Sequence, residues 1–252
     1  MLNLNLEKER IIEFIRNYCQ ANHFENLVIG LSGGIDSALS AALAVMAVGK
    51  DHVFSFNIPY RNSHPDSAND AALVAKHLGI PYESIELTAF TDSYFELFEP
   101  EADRLRRGNW MARIRMNVLY DQAAKYKALV VGTGNRTELL VGYCTQYGDS
   151  ACAFEPIGHL YKTEVWAMAR ELGLPEKVIT KTPTADLWEG QSDEGELGIS
   201  YRELDTILMY LTEPESYPNC SSLPQTIEKV KKLIRNSEFK RNMPPVPERT
   251  IC

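Results

Sequence analysis

Eight consecutive residues, Gly30-Leu31-Ser32-Gly33-Gly34-Ile35-Asp36-Ser37, bring three glycines, two hydroxyls and one carboxylate together at the end of a short apolar run. Glycines let a backbone turn tightly and approach a ligand, and the free N–H groups and positive dipole end of a helix starting here favour an anion. The Ser32 and Ser37 hydroxyls add donors without bulk. The pattern suits phosphate. It is not the G-x-x-x-x-G-K-[ST] loop, because no Lys-Ser or Lys-Thr follows the glycines, nor is it G-x-G-x-x-G. In an ordinary strand-to-helix turn, Asp36 and Ser37 would merely serve the helix start.

A second group follows at Gly132-Thr133-Gly134-Asn135-Arg136-Thr137-Glu138. Open α/β sheets collect ligands outside the carboxyl ends of their strands, where strand order reverses. If both segments lie there on neighbouring strands, Thr133 faces the first loop and Asp36 and Glu138 can share a cation. Two hard carboxylate oxygens, completed by phosphate oxygens and waters, suit Mg²⁺. The competing account of Glu138 is a capping box with Asn135. Cys144 lies among glycines and polar residues, but it has no evident histidine partner, so a small buried thiol competes with a nucleophile.

The elements that must position these groups alternate along the chain. Apolar runs at residues 27–31, 53–58, 82–87 and 128–131 predict strands. Helical patterns fall near residues 11–18, 36–48, 71–78, 110–127, 162–172, 201–211 and 224–241, and Gly49 and Gly79 end two of them. Residues 88–108 are less regular, residues 142–158 read as a polar loop, and residues 185–198 as an acidic, solvated, mobile one. Such βαβ units predict an α/β fold, a doubly wound parallel sheet of order 3-2-1-4 flanked by helices. No linker divides the chain, so residues 1–252 form a single domain with C-terminal helices.

Composition bounds the function. A chain of 252 residues with 44% hydrophobic and 24% charged residues can bury a core, which excludes disorder, collagen and a small disulfide scaffold. With 26 basic against 34 acidic residues the net charge is −8, which disfavours a nucleic-acid partner. The longest largely apolar run, residues 39–48, is far short of the roughly 20 residues of a membrane span. The first ten residues lack a signal-peptide core, so a cytoplasmic protein with no membrane partner is expected. The five cysteines, Cys19, Cys144, Cys152, Cys220 and Cys252, contain no C-x-x-C pair and are expected to be reduced thiols.

The glycine-rich octapeptide resembles the SGGxDS pyrophosphate loop of the ATP pyrophosphatases, which cleave ATP between the α and β phosphates and adenylate a carboxylate or carbonyl oxygen. That loop alone would also fit GMP and asparagine synthetases and tRNA-thiolating enzymes. A narrower resemblance comes from SGGIDSA, MARIRM, GTGNRTELLVGY, TQYGD, PIGHLYKTEV, PTADLWEGQSDEGELGISY and EFKRNMPP taken together. From residue 25 to the C-terminus their order and spacing resemble the ammonia-dependent NAD synthetases. The resemblance implies the adenine-nucleotide alpha-hydrolase-like fold and a reaction in which ATP adenylates the nicotinate carboxylate of deamido-NAD. Pyrophosphate leaves, and ammonia attacks the acyl adenylate to give NAD and AMP.

Carried over by residue, the resemblance implies that residues 30–37 bind ATP phosphates, that Thr133 and Thr184 contact ATP, and that Lys162 supplies a cation to its phosphates. It places Arg113, Gln146, Phe239 and Lys240 at deamido-NAD, and a homodimer with that substrate near the interface. Surplus apolar residues on the long helix, Trp110, Met111 and Tyr120, point weakly the same way. Arg113 and Arg115 are two apart, so only one easily reaches a given site; taken alone, Arg113 and Lys162 could be solvated surface charges. Asp149 is expected to bind or deprotonate ammonium, the alternative being an Asx turn beside Gly148. The acidic segment with Asp186, Asp193, Glu194 and Glu196 serves the family as a cover that keeps water from the adenylate.

Three positions depart from many short family members: Gln146 stands where they have Lys, Ala153 where they have Asp, and Phe239 where they have His. All three concern the acceptor. The chain leaves no room for a glutaminase domain, so free ammonia, or a separate protein that supplies it, is the expected nitrogen source. A tRNA-modifying enzyme would share the loop but would bring a basic surface or an extra domain, and a nucleotide-sensing module would not need both carboxylates.

Overall fold

The computed structural model describes residues 2–249 except Leu187 and Glu189. Strand β1 (Asn26–Gly30) turns Leu27 and Ile29 to one side and Val28 to the other, all fully buried. A strand apolar on both faces must be covered on both faces. Around it lie β2 (Val53–Asn57), β3 (Tyr82–Ser84) and β4 (Ala128–Val131), all parallel, in the order 3-2-1-4. Ile29 pairs with Ser55 on one side and Val131 on the other, so the loops leaving β1 and β4 emerge side by side.

Helix α1 (Leu4–Ala21) precedes β1, and α2 (Ile35–Val48) follows it. A 3-10 turn at Lys50–His52 leads to β2, after which come α3 (Pro65–Leu78), β3, α4 (Thr88–Phe98), α5 (Arg104–Tyr126), β4 and α6 (Arg136–Val141). The rest is helical: α7 (Lys162–Glu171), α8 (Glu176–Ile179), α9 (Asp193–Leu197), α10 (Tyr201–Thr212) and α11 (Pro224–Ser237), then a 3-10 turn at Glu238–Lys240. One face of the sheet is covered by Ile11, Ile15, Leu39, Leu43, Val165 and Met168 from α1, α2 and α7. The other receives Met111 and Ala123 of α5 against Val28, Phe56 and Val130. A further cluster, with Val141, Tyr201, Leu204, Ile207 and Val230, packs α10 and α11 onto α6.

Several expectations need correction. Residues 88–108, read as irregular, hold α4 and the start of α5; Phe90, Leu97 and Phe98 of α4 are exposed while Phe95 is buried, which blurs the helical period. Strand β3 stops at Ser84 because it pairs only with β2; Leu87 is instead buried at the head of α4, with its N–H on the Pro59 carbonyl. The acidic segment contains a helix, α9. Met111 is core rather than surplus surface, and Trp110 stacks on Tyr94 with ring centroids 3.9 Å apart, leaving Tyr120 as the exposed one of the three.

Among the described residues no helix is long and apolar enough to cross a membrane. Cys19, Cys144, Cys152 and Cys220 are free thiols, and Cys252 lies outside the described residues. Burial pushes the Cys144 thiol up to about 11, with Asp149 adding to the effect, so it is not a ready nucleophile near neutral pH.

Candidate active site

The loop after β1 is shaped by its own hydroxyls. Ser37 Oγ donates to the Gly34 carbonyl at 3.0 Å, Ser32 Oγ accepts from the Gly34 N–H at 3.2 Å, and the two hydroxyls lie 3.2 Å apart. Gly34 caps α2 without a side chain, and the N–H groups of the helix's first turn have no intrahelical acceptor. Gly33 adopts φ +77°, and a Cβ there would drive into the Ser67 carbonyl of α3. Free N–H groups at such a turn can receive an anion, and a neighbouring helix sets the shape of the loop.

Asp36 and Glu138 do meet, through two bridging groups. Asn135, fully buried, caps α6: its Oδ1 accepts from the Glu138 N–H at 3.0 Å, and the Glu138 side chain returns to the Asn135 N–H. The same amide donates to Asp36 Oδ1 at 2.8 Å. The capping box is therefore present, and its Asn135 also holds Asp36 beside Glu138. Lys162, at the head of α7 and 2% exposed, donates its Nζ to Asp36 Oδ2 at 2.6 Å and Glu138 Oε1 at 3.1 Å. It is held there by its own N–H on Thr137 Oγ1, which in turn donates to buried Asp205.

A third acid closes the group. Asp193 of α9 is buried, and it accepts from Tyr201 Oη at 3.0 Å and Tyr143 Oη at 3.1 Å; Tyr143 also donates to Glu196 at 2.6 Å. The Tyr201 ring lies 5.0 Å below the Lys162 ammonium. Three carboxylates thus surround one ammonium. Burial alone would lower the Lys162 pKa, but Asp36 and Glu138 outweigh it and hold the amine charged. One cation cannot neutralise three acids, so burial pushes Glu138 up to about 8 and also raises Asp193, each opposed by Lys162.

Asp36, Glu138, Tyr143, Lys162 and Asp193 line a cavity of about 560 Å³ that also takes in Thr133, Asp149, Thr184, Arg115, Lys181 and Lys240. Asp149 is open to the cavity but enclosed by protein on most sides, so burial raises its carboxyl; the Thr145 N–H, donating to Oδ1 at 2.8 Å, works against this. The bond comes from four residues back in the chain and not from the N–H two residues on, so it is not the bond of an Asx turn. Thr184 Oγ1 accepts from the Asp186 N–H at 3.1 Å, and the Asp186 carboxylate ties the acidic segment to the His64 N–H at 3.0 Å. The segment is docked rather than free.

The four residues expected at the acceptor are placed differently. Arg113 is exposed and donates Nε to the Gln146 carbonyl at 3.2 Å; neither residue lines the cavity, and Phe239 is 60% exposed. Lys240 does line it, with Nζ on the Gly142 and Cys144 carbonyls at 2.8 and 2.7 Å. Arg113 and Lys240 thus both bond to one strip of chain, residues 142–146, outside the phosphate loop, and Phe239 is the chain neighbour of Lys240. Asn135's bridge to Asp36, the two tyrosines and Arg115 were not legible from motifs. A signal for Arg115 existed: it shares the stripe of Met111 and Leu119, four residues away on either side, and therefore faces the sheet.

The chain matches the family model of NAD synthase over residues 7–244. It is 45% identical over 249 residues to an NH3-dependent NAD(+) synthetase of Fusobacterium nucleatum, covering 96% of each chain. Among solved structures, the NH3-dependent NAD synthetase of Campylobacter jejuni, in complex with nitrate, aligns with a TM-score of 0.86 at 35% identity, over 98% of this chain and 100% of that one. The NMN synthetase of Francisella tularensis aligns with a TM-score of 0.90 at 29% identity, over 99% and 100%. The parallel sheet of order 3-2-1-4 between helical layers is the ATP pyrophosphatase fold. A relative sharing nearly half its residues along the whole length leaves one assignment: the chain belongs to the NAD synthase family.

Proposed function

We propose that the chain catalyses the ATP-dependent amidation of deamido-NAD by ammonia, as one synthetase domain over residues 1–252. The carrying observation is that Lys162 draws Asp36 of the phosphate loop and Glu138 of the neighbouring loop onto one point. A carboxylate resists attack because its oxygen cannot leave, and adenylation turns that oxygen into part of a good leaving group. ATP phosphates rest on residues 30–37, Thr133 and Thr184 contact the nucleotide, and Lys162 offers its ammonium to phosphate oxygens. Ammonia then attacks the acyl adenylate, releasing NAD and AMP.

Three acids around one ammonium are unsuited to polyphosphate by themselves, and this surplus fits a divalent cation. Asp36 and Glu138 would hold Mg²⁺, which supplies charge neutralisation at the departing pyrophosphate. Asp149 receives ammonium and takes its proton, for which a raised carboxyl is suited. Helix α9, tied down through Asp193, shields the adenylate from water. Deamido-NAD extends along the strip of Arg113, Gln146, Lys240 and Phe239, with Phe239 free to stack on a ring.

With ATP, Mg²⁺ and deamido-NAD, ammonium salts are expected to give equal amounts of NAD, AMP and pyrophosphate, and glutamine none unless another protein supplies ammonia from it. Equal turnover with glutamine in the pure protein refutes the nitrogen source. Pyrophosphate release with nicotinate mononucleotide but not with the dinucleotide would keep the chemistry and shift the acceptor, the variant suggested by the NMN synthetase neighbour.

A homodimer with deamido-NAD near its interface is part of this proposal. Its support is the apolar surface of Phe90, Leu97 and Phe98 on α4 with Leu105 on α5, each at least 59% exposed. Sedimentation at micromolar concentration should give twice the chain mass, and Leu97→Glu with Phe98→Glu should give monomers. A monomeric wild type overturns it.

A further inference from the structure

The cavity must hold two polyanionic substrates, yet most of its cationic groups are already engaged by protein. Four cationic side chains line it: Lys162, Lys181, Lys240 and Arg115. Lys162 lies between Asp36 and Glu138. Lys181 donates to Asp70 at 2.9 Å and Ser67 at 3.2 Å, and Lys240 to two carbonyls. Arg115 differs. Its Nε donates to the Ile58 carbonyl at 2.9 Å, and among the described residues its two terminal nitrogens have no protein acceptor. A guanidinium carries five N–H donors, so four remain for a ligand.

We propose that Arg115 binds an anionic group of a substrate, a phosphate or a carboxylate, from the β2 side of the phosphate loop. The assignment rests on the synthetase reading above. The Ile58 carbonyl lies just past the end of β2, next to β1, so the bond to it fixes the planar fork beside the loop while Lys162 enters beside α6, on the β4 side. A fork held at one nitrogen suits two parallel bonds to phosphate or carboxylate oxygens. Asp149 and Asp186 stand near enough to act on its charge, but neither forms an ion pair with it, so the guanidinium is balanced without being occupied. Arg113, on the exposed side of the same helix and bonded to Gln146, is not a substitute for it inside the cavity.

The test is steady-state kinetics of Arg115→Gln and Arg115→Lys with ATP, deamido-NAD and ammonium varied in turn. Gln keeps a donor for the Ile58 carbonyl and removes both charge and fork. Its KM for one anionic substrate should rise at least about tenfold, with the KM for ammonium unchanged and Lys intermediate. A rise for ATP assigns the group to a phosphate of ATP; a rise for deamido-NAD assigns it to the acceptor. A folded, active Arg115→Gln with both constants at wild-type values overturns the proposal.

Should the variants fail to fold, labelling of the wild type with phenylglyoxal, read by mass spectrometry, decides instead. Protection of Arg115 by saturating ATP or deamido-NAD supports the assignment, and equal labelling with and without each substrate overturns it. A wild type that makes no NAD from deamido-NAD fails the functional reading separately, and protection by ATP then still tests Arg115.

Discussion

Lys162→Met is expected to destabilise the protein by about 3 kcal/mol or more, because it leaves buried carboxylates without their counter-charge. The ammonium is 2% exposed and lies 2.6 Å from Asp36 and 3.1 Å from Glu138, with Asp193 acting on it from α9. Methionine fills similar volume, so the loss would come from charge rather than from a cavity. Glu138→Gln is a different case. It leaves Lys162 paired with Asp36, with Asp193 still acting on it, and removes the acid that burial already pushes towards its neutral form, so stability should change little. Both variants should lower kcat about a hundred- to a thousandfold, since Lys162 is aimed at charge developing on the leaving phosphates and Glu138 would hold the Mg²⁺ that neutralises it. Urea unfolding alongside pyrophosphate release separates the two effects. A Lys162→Met protein that unfolds at the wild-type midpoint would mean that the ammonium does not neutralise the acids it touches. Full turnover in Glu138→Gln at saturating Mg²⁺ would reduce Glu138 to a helix cap.

The approach of Asp36 to Glu138 was legible because two strand-ending loops with glycine and acid, on strands 1 and 4, leave little freedom in an order 3-2-1-4. The capping signal at Asn135 was legible too, but as a rival to the site; one buried amide serves both, with its oxygen on the Glu138 N–H and its nitrogen on Asp36. Spacing in one helix cannot show a bond to another. Burial of Asp193 was hidden for the opposite reason. An acidic, glycine-containing segment reads as solvated, and it takes the Lys162 ammonium together with the hydroxyls of Tyr143 and Tyr201, 50 and 8 residues away, to make a buried carboxylate tolerable there. Helix α4 escaped notice because much of its apolar surface faces outward, so the period that reports a buried face is incomplete.

Gly33→Ala should cost about 2 to 5 kcal/mol and abolish turnover, combining left-handed backbone strain with overpacking. The glycines of residues 30–37 suggest close approach of backbone to phosphate, but at Gly33 a tighter constraint comes from the protein itself. Its φ is +77°, and a Cβ would press into the Ser67 carbonyl and lie 3.0 Å from the Asp70 side chain. That wall is rigid. Ser67 and Asp70 are buried in the first turns of α3, and Asp70 is clamped by Lys177 at 2.7 Å and Lys181 at 2.9 Å. The loop must therefore move toward the ligand side, carrying Ser32 and the first turn of α2 out of register with Thr133. Gly34→Ala is the control: φ there is −93°, and its Cβ would meet only the Ser32 hydroxyl, at 3.2 Å, a group that can rotate. Its stability should stay within about 1 kcal/mol of wild type, any loss of turnover then reflecting crowding of the phosphate itself. Equal unfolding midpoints for the two variants would show that α3 does not set the shape of the loop.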